Sequence, residues 1–172
     1  VTAALPVPEF SRPWDLRQID DRPVTLEASE QERAALARRF GIIAIGKLTA
    51  TLTLVREAEA VHAHGTLNAE MVQSCAVSGE DLPTKVNEPI ALRFMPERPI
   101  DSEELELAAD DLDEIAYSGT VLDLGEAVAQ SLALAIDPYA VGPEAERVRR
   151  EAGLLDESSS GPFAALAALR KN

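Results

Sequence analysis

The chain has 172 residues, with 30 Asp and Glu against 16 Lys and Arg, a formal net charge of -14 and 46% hydrophobic residues. One domain is expected at this length, and the apolar share excludes wholesale disorder. A lone cysteine, Cys75, excludes an internal disulfide, and the acidic balance speaks against non-specific nucleic-acid binding, which needs clustered Lys and Arg.

In chain order, residues 5–16 hold Pro6, Pro8 and Pro13, which predicts an extended arm or edge strand. A helix follows. Ser29 can cap it, with Glu32 at the capping-box spacing, and Gly41 is placed to stop it. Ala35, Leu36 and Phe40 form its apolar stripe, with Arg33, Arg38 and Arg39 outside. From residue 42 to about 94 the period becomes two. In Leu48-Thr-Ala-Thr-Leu-Thr-Leu the even positions are apolar, as in a half-buried strand. Residues 60–75 alternate again through Val61, Ala63, Leu67, Ala69 and Met71, after a hairpin connection at Arg56-Glu-Ala-Glu. A second turn at Ser78-Gly-Glu-Asp-Leu-Pro leads to a third strand over 84–94, with Ile90, Leu92 and Phe94 on one face. Short turns between consecutive strands imply an antiparallel meander, solvated on one face.

Residues 101–114 are acidic, and 115–120 return as a strand. Asp123 then caps a second helix over 124–136, with Glu126 at the box position; it is apolar nearly all round and should be the most buried one. Asp137-Pro138 ends it. The longest nearly apolar run, 127–136, is about half of the ~20 residues that span a bilayer. With no signal-like start at Val1-Thr-Ala-Ala-Leu-Pro, a soluble cytoplasmic protein without a membrane partner is expected. The expected fold is α+β: an antiparallel sheet of about four to six strands packed with two main helices, in a single domain over 1–142. A charged, partly mobile tail over 143–172 follows, hinged at Ser158-Ser-Ser-Gly-Pro.

Few residues offer chemistry. His62 and His64, spaced by two on a strand, share a face, and with Cys75 they are the one combination that suits a metal-assisted hydrolase. No second Cys or other His completes four ligands, and Val61, Ala63 and Leu67 take the buried face, so no metal, no cofactor and no catalytic residue is expected. In Cys75-Ala-Val-Ser78 a serine stands where a second thiol would make a Cys-x-x-Cys knuckle, which leaves Cys75 a structural part. Between Arg98 and Arg147 there is no Lys or Arg, while thirteen carboxylates fall in 101–146. Asp110, Asp111, Asp113 and Glu114 lack the calcium-loop pattern, and suit a solvated face or a basic partner. Phe163, Leu166 and Leu169, spaced by three and followed by Arg170 and Lys171, make a docking element for the protein's own body or for a partner. Direct RNA contact would have to rest on local basic clusters such as Arg147, Arg149 and Arg150, and the overall charge does not favour it.

The order of these segments resembles the YceD family, described as large ribosomal RNA subunit accumulation proteins. The residues that carry the resemblance are Cys75-x-x-Ser78, then Tyr117-Ser-Gly-Thr-Val-Leu-Asp-Leu-Gly-Glu126 before an apolar helix. Asp137-Pro138 and Pro162-Phe-Ala-Ala-Leu-Ala-Ala-Leu-Arg-Lys171 complete the set. It covers roughly residues 40–172, and Pro8-Glu-Phe-Ser-Arg-Pro13 fits a bacterial, proteobacterial version. Many members carry a full Cys-x-x-Cys, from which Ser78 departs. The resemblance implies a non-enzymatic role in accumulation of the large-subunit (23S) ribosomal RNA. The partner would be a basic ribosomal protein, or a pre-ribosomal particle reached through its proteins.

Overall fold

A computed structural model describes residues 8–20, 22–97 and 114–153. Its elements are β1 (Pro13–Asp15), a 3-10 turn (Leu16–Gln18), β2 (Val24–Glu27), α1 (Glu30–Phe40), β3 (Ala44–Glu57), β4 (Ala60–Ser74), β5 (Asp81–Pro96), β6 (Glu114–Tyr117), β7 (Val121–Asp123), α2 (Leu124–Ala135) and α3 (Ala145–Glu151). Five strands form one sheet in the order β2-β3-β4-β5-β6, and β1 pairs with β7 in a separate ribbon. The α+β expectation holds, with the proline-rich arm supplying β1 as a short paired strand.

The alternation of apolar residues translates directly into a one-sided sheet. Leu48, Ala50, Leu52 and Leu54 of β3 are buried, as are Val61, Ala63, Leu67, Ala69 and Met71 of β4. A register shift between Ile45 and Lys47 adds one residue to β3, so Ile45 reaches the same buried face despite its odd number. Val86, Ile90 and Phe94 of β5 complete that face, and α1 over β3 and α2 over β4 and β5 cover it in one core cluster. The opposite face carries Thr51, His64, Thr66 and Lys85, all exposed.

Both helices start where their caps predict. The Ser29 side chain accepts from the Glu32 amide while the Glu32 carboxylate accepts from the Ser29 amide, and Gly41 closes α1 in the left-handed region at φ 66°. Asp123 accepts from the Glu126 amide at 3.1 Å. Arg33 departs from the expectation of an outward cation: its guanidinium donates to the carbonyls of Ala28 and Ile45, tying α1 to the chain on both sides of it. Three elements, β2, β7 and α3, have too few residues to show a period, and the sequence does not announce them.

Three differences have clear causes. β6 runs parallel to β5, so the sheet is mixed rather than wholly antiparallel. A parallel return needs a crossover of a dozen or more residues, and residues 97–113 supply that length. The β3–β4 hairpin is tighter than the four-residue connection expected: pairing continues to Glu57↔Ala60, leaving Ala58 and Glu59 as the turn, with Ala58 at φ 54°. Finally α2, although the most buried helix, is not buried all round. Leu134 is 89% exposed, because the sheet meets only one side of the helix.

The arm is locked onto the start of α2. Phe10 is fully buried, the Ser11 hydroxyl donates to Asp123 Oδ2 at 2.6 Å, and the Arg12 amide donates to Asp123 Oδ1 at 2.8 Å. The Arg12 guanidinium pairs with both oxygens of Glu32, at 2.6 and 2.9 Å, and lies 4.5 Å over the Phe10 ring. That guanidinium holds the Glu32 carboxyl down at about 2. Arg39 bridges Glu9 of the arm and Glu126 of α2, at 3.0 and 2.7 Å.

Candidate functional site

β4 and β5 are joined by a turn built around Cys75. The Cys75 amide donates to the Glu80 carbonyl at 2.8 Å and the Gly79 amide to the Cys75 carbonyl at 3.0 Å, which closes the turn. The sulfur then accepts three N–H groups: Val77 at 3.4 Å, Ser78 at 3.3 Å and, from far along the chain, Gly142 at 3.3 Å. The segment that brings Gly142 is itself held down. Ala76 donates to the Ala140 carbonyl, Glu144 donates to Glu80 Oε1, and Ala145 is 2% exposed.

This cradle favours a thiolate. The Ser78 hydroxyl and amide beside the sulfur, with the amides of Gly142 and Val77, pull the thiol down to about 6. The hydroxyl has one proton, and Ser78 Oγ also lies 3.0 Å from Glu80 Oε1. When that proton goes to Glu80, the three amides alone hold the charge. Only 4% of Cys75 is exposed, so a reagent or metal reaches the sulfur only if the turn opens.

A pH test follows. A thiol whose folded-state value lies below its unfolded value adds stability above the unfolded value, and the gain is lost as pH falls through the folded one. The stability gap between the wild type and Cys75→Ala should therefore be smallest below pH 6, widen from about 6 to 9, and stay level above. Urea unfolding of both proteins at pH 5.5, 7.5 and 9 measures it. A gap that ignores pH would show that the sulfur stays a thiol.

The histidines stand elsewhere. His62 and His64 lie on the outer face of β4 with rings 6.1 Å apart and nearly parallel, and His62 Nε2 is 3.6 Å from Glu57 Oε2. Cys75 follows the buried parity of β4, and at ~3.3 Å per residue it lies roughly 36 Å along the strand from His64. The three residues of the metal-assisted hydrolase are not brought together, and that reading loses its site. Among the described residues, no three His, Cys, Asp or Glu side chains group as metal ligands.

Of the residues expected to meet a partner, Glu114 alone is among those described. It begins β6 and pairs with Arg93 on β5, so its charge is already used within the sheet. Asp110, Asp111, Asp113, Phe163, Leu166, Leu169, Arg170 and Lys171 lie outside the described residues. Sequence reasoning missed an open groove of about 350 Å³ between α2 and the β5–β6 edge. Its one advance signal is Leu134, an apolar residue on the side of α2 away from Val128 and Leu132.

No helix among the described residues is long and apolar enough to cross a membrane. No curated protein and no solved structure matches the chain. One family model does, that of the large ribosomal RNA subunit accumulation protein YceD, over residues 63–170, which include the Cys75 turn, the sheet edge, α2 and the terminal Phe163–Lys171 region up to residue 170. With well over half its length matched, the chain belongs to the YceD family.

Proposed function

We propose that the protein is a non-enzymatic, cytoplasmic accessory factor in the accumulation of large-subunit ribosomal RNA, and that it binds a basic ribosomal protein, free or within a pre-ribosomal particle, through its acidic surface. The match over residues 63–170 to a family named for that accumulation carries the reading. The charge distribution supports a protein partner over RNA. Arg12, Arg17, Arg39, Lys85, Arg93 and Arg147 are all engaged by carboxylates of the same chain, while the sequence keeps a large acidic excess. Arg147 is held by both Glu144 and Glu151, which weakens a basic cluster that an RNA contact would use.

A tagged pulldown in which bound protein and RNA are both identified tests this, with and without ribonuclease. The expected catch is a basic ribosomal protein that survives ribonuclease and is shed with salt. Reversing Asp110, Asp111 and Asp113 to Lys should slow association about tenfold or more at low salt, with less effect on dissociation. Glu114 is left out of that variant because its loss would strand Arg93. Unchanged association, or a catch that is RNA alone, overturns the proposal.

A further inference from the structure

The groove beside α2 has an apolar lining, in which Leu92 and Ile115 are only partly buried and Leu134 is exposed among the described residues. Leu67, Ile90, Leu92 and Ile115 make its sheet side, and Ala127 and Leu134 its helix side. The polar side chains in the helix wall are already bonded within α2: the Ser131 hydroxyl donates to the Ala127 carbonyl, and the Gln130 amide donates to Glu126. What remains on offer is hydrocarbon, with Leu134 89% exposed at the rim and one free charge, Glu88, which has no ion-pair partner among the described residues. An apolar floor with a single acidic rim fits an apolar segment that carries a cation at one end.

We propose that this groove receives the terminal segment of the same chain, with Phe163, Leu166 and Leu169 against the apolar floor and Arg170 or Lys171 beside Glu88. Three features of the chain point to this occupant. The segment offers three large apolar side chains at one spacing, separated by alanines, followed at once by two cations. It also reaches. The described chain ends at Gly153, just after a helix whose first residues rest on Glu80, and Glu88 lies roughly 26 Å further along β5 at ~3.3 Å per residue. Gly153 lies up to about 14 Å from the start of that helix, hence at most about 40 Å from Glu88, and the links from Gly153 to Arg170 extend to about 56 Å. Finally, the family match begins at residue 63 and ends at 170, so it takes in the groove lining and the segment together. Tethering favours the intramolecular occupant, since a covalent connection of this length holds the segment at an effective concentration on the order of millimolar. The inference is independent of the ribosomal reading, and holds or fails without it.

Nuclear magnetic resonance on the full, isotope-labelled chain tests it. The expected result is a set of contacts between the Phe163 ring and the methyl groups of Ile90, Ile115 and Leu134, unchanged on dilution and absent between differently labelled copies. Leu134→Glu, at an exposed position that the core does not use, should abolish those contacts and give the 163–171 amides the fast motion of a free chain, while the Leu48 and Leu52 methyls keep their shifts. Glu88→Lys should weaken the docking, more at low salt than at high. Free-chain motion of 163–171 in the wild type overturns the proposal. So do contacts that appear only between copies, which would assign the groove to a second molecule, and contacts to residues elsewhere on the body.

Discussion

Gly65→Ala should destabilise the protein by about 3 kcal/mol, the upper end of what overpacking a well-ordered core costs. Gly65 sits in the middle of β4, paired with Leu52 on one side and Ile90 on the other. A Cβ at that position would lie 1.8 Å from the Thr51 carbonyl oxygen, 2.8 Å from its carbon and 3.0 Å from the Leu52 Cα. All three atoms are backbone, in a strand hydrogen-bonded to neighbours on both sides, so nothing can swing away. Either β3 and β4 part locally or β4 twists, and the buried row Leu52, Ala63 and Leu67 loses its packing with it. A fall of roughly 6–12 °C in Tm corresponds to this loss for a domain of this size. Gly46→Ala is the control, because its Cβ would meet nothing closer than the Glu70 carbonyl at 3.6 Å. Equal stability of the two variants would mean that β3 and β4 do not approach so closely at Gly65.

Phe10→Ala should cost about 3–5 kcal/mol, the range for removing a fully buried aromatic ring. Phe10 belongs to no strand or helix, yet it is 0% exposed and sits within the main core. Its carbonyl lies where only a glycine lets it: a Cβ on Gly125 would be 2.5 Å from the Phe10 oxygen and 2.8 Å from the Arg12 nitrogen. Gly125→Ala should thus reproduce the loss by lifting the arm, although no atom of Phe10 is changed. The two changes act on one junction, so the double variant should fall well short of their sum. Trp14, the chain's one tryptophan, lies in β1 next to this junction and reports on it directly. Its emission should move to the red in both variants before the global transition. Full stability of Phe10→Ala, with Trp14 undisturbed, would show that the arm is an ornament of the core rather than part of it.

Both predictions concern residues whose importance has no local signature. Gly65 interrupts the run Val61, Ala63, Leu67, Ala69 as a small residue would in any strand, and the carbonyl it makes room for belongs to β3. Phe10 lies in a proline-rich stretch that reads as an extended arm, and its burial depends on Asp123 and Gly125, more than a hundred residues away. The candidate site divides in the same manner. Ser78 at the place of a second thiol was legible, and so was the separation of His62 and His64 from the buried face. The third amide on the Cys75 sulfur was not, because Gly142 reaches it through the docking of 140–145 on Glu80.

The sequence by itself determined whatever is decided within about one turn or one strand. The capping box at Ser29–Glu32, the Asp123 cap on the Glu126 amide, the stop at Gly41 and the one-sided burial of β3 and β4 all appear where the residues require them. Each is set by hydrogen bonds or side-chain directions that span no more than a few positions. Only the tertiary structure decided the parallel pairing of β6 on β5, the seating of the arm on α2, the exposure of Leu134 and the three-amide cradle of Cys75. Those depend on which distant segments meet. Closing a long loop costs entropy that grows only slowly with its length, so local pattern scarcely distinguishes one long-range partner from another. The choice is made by the apolar area and the backbone donors and acceptors that each possible contact satisfies at once.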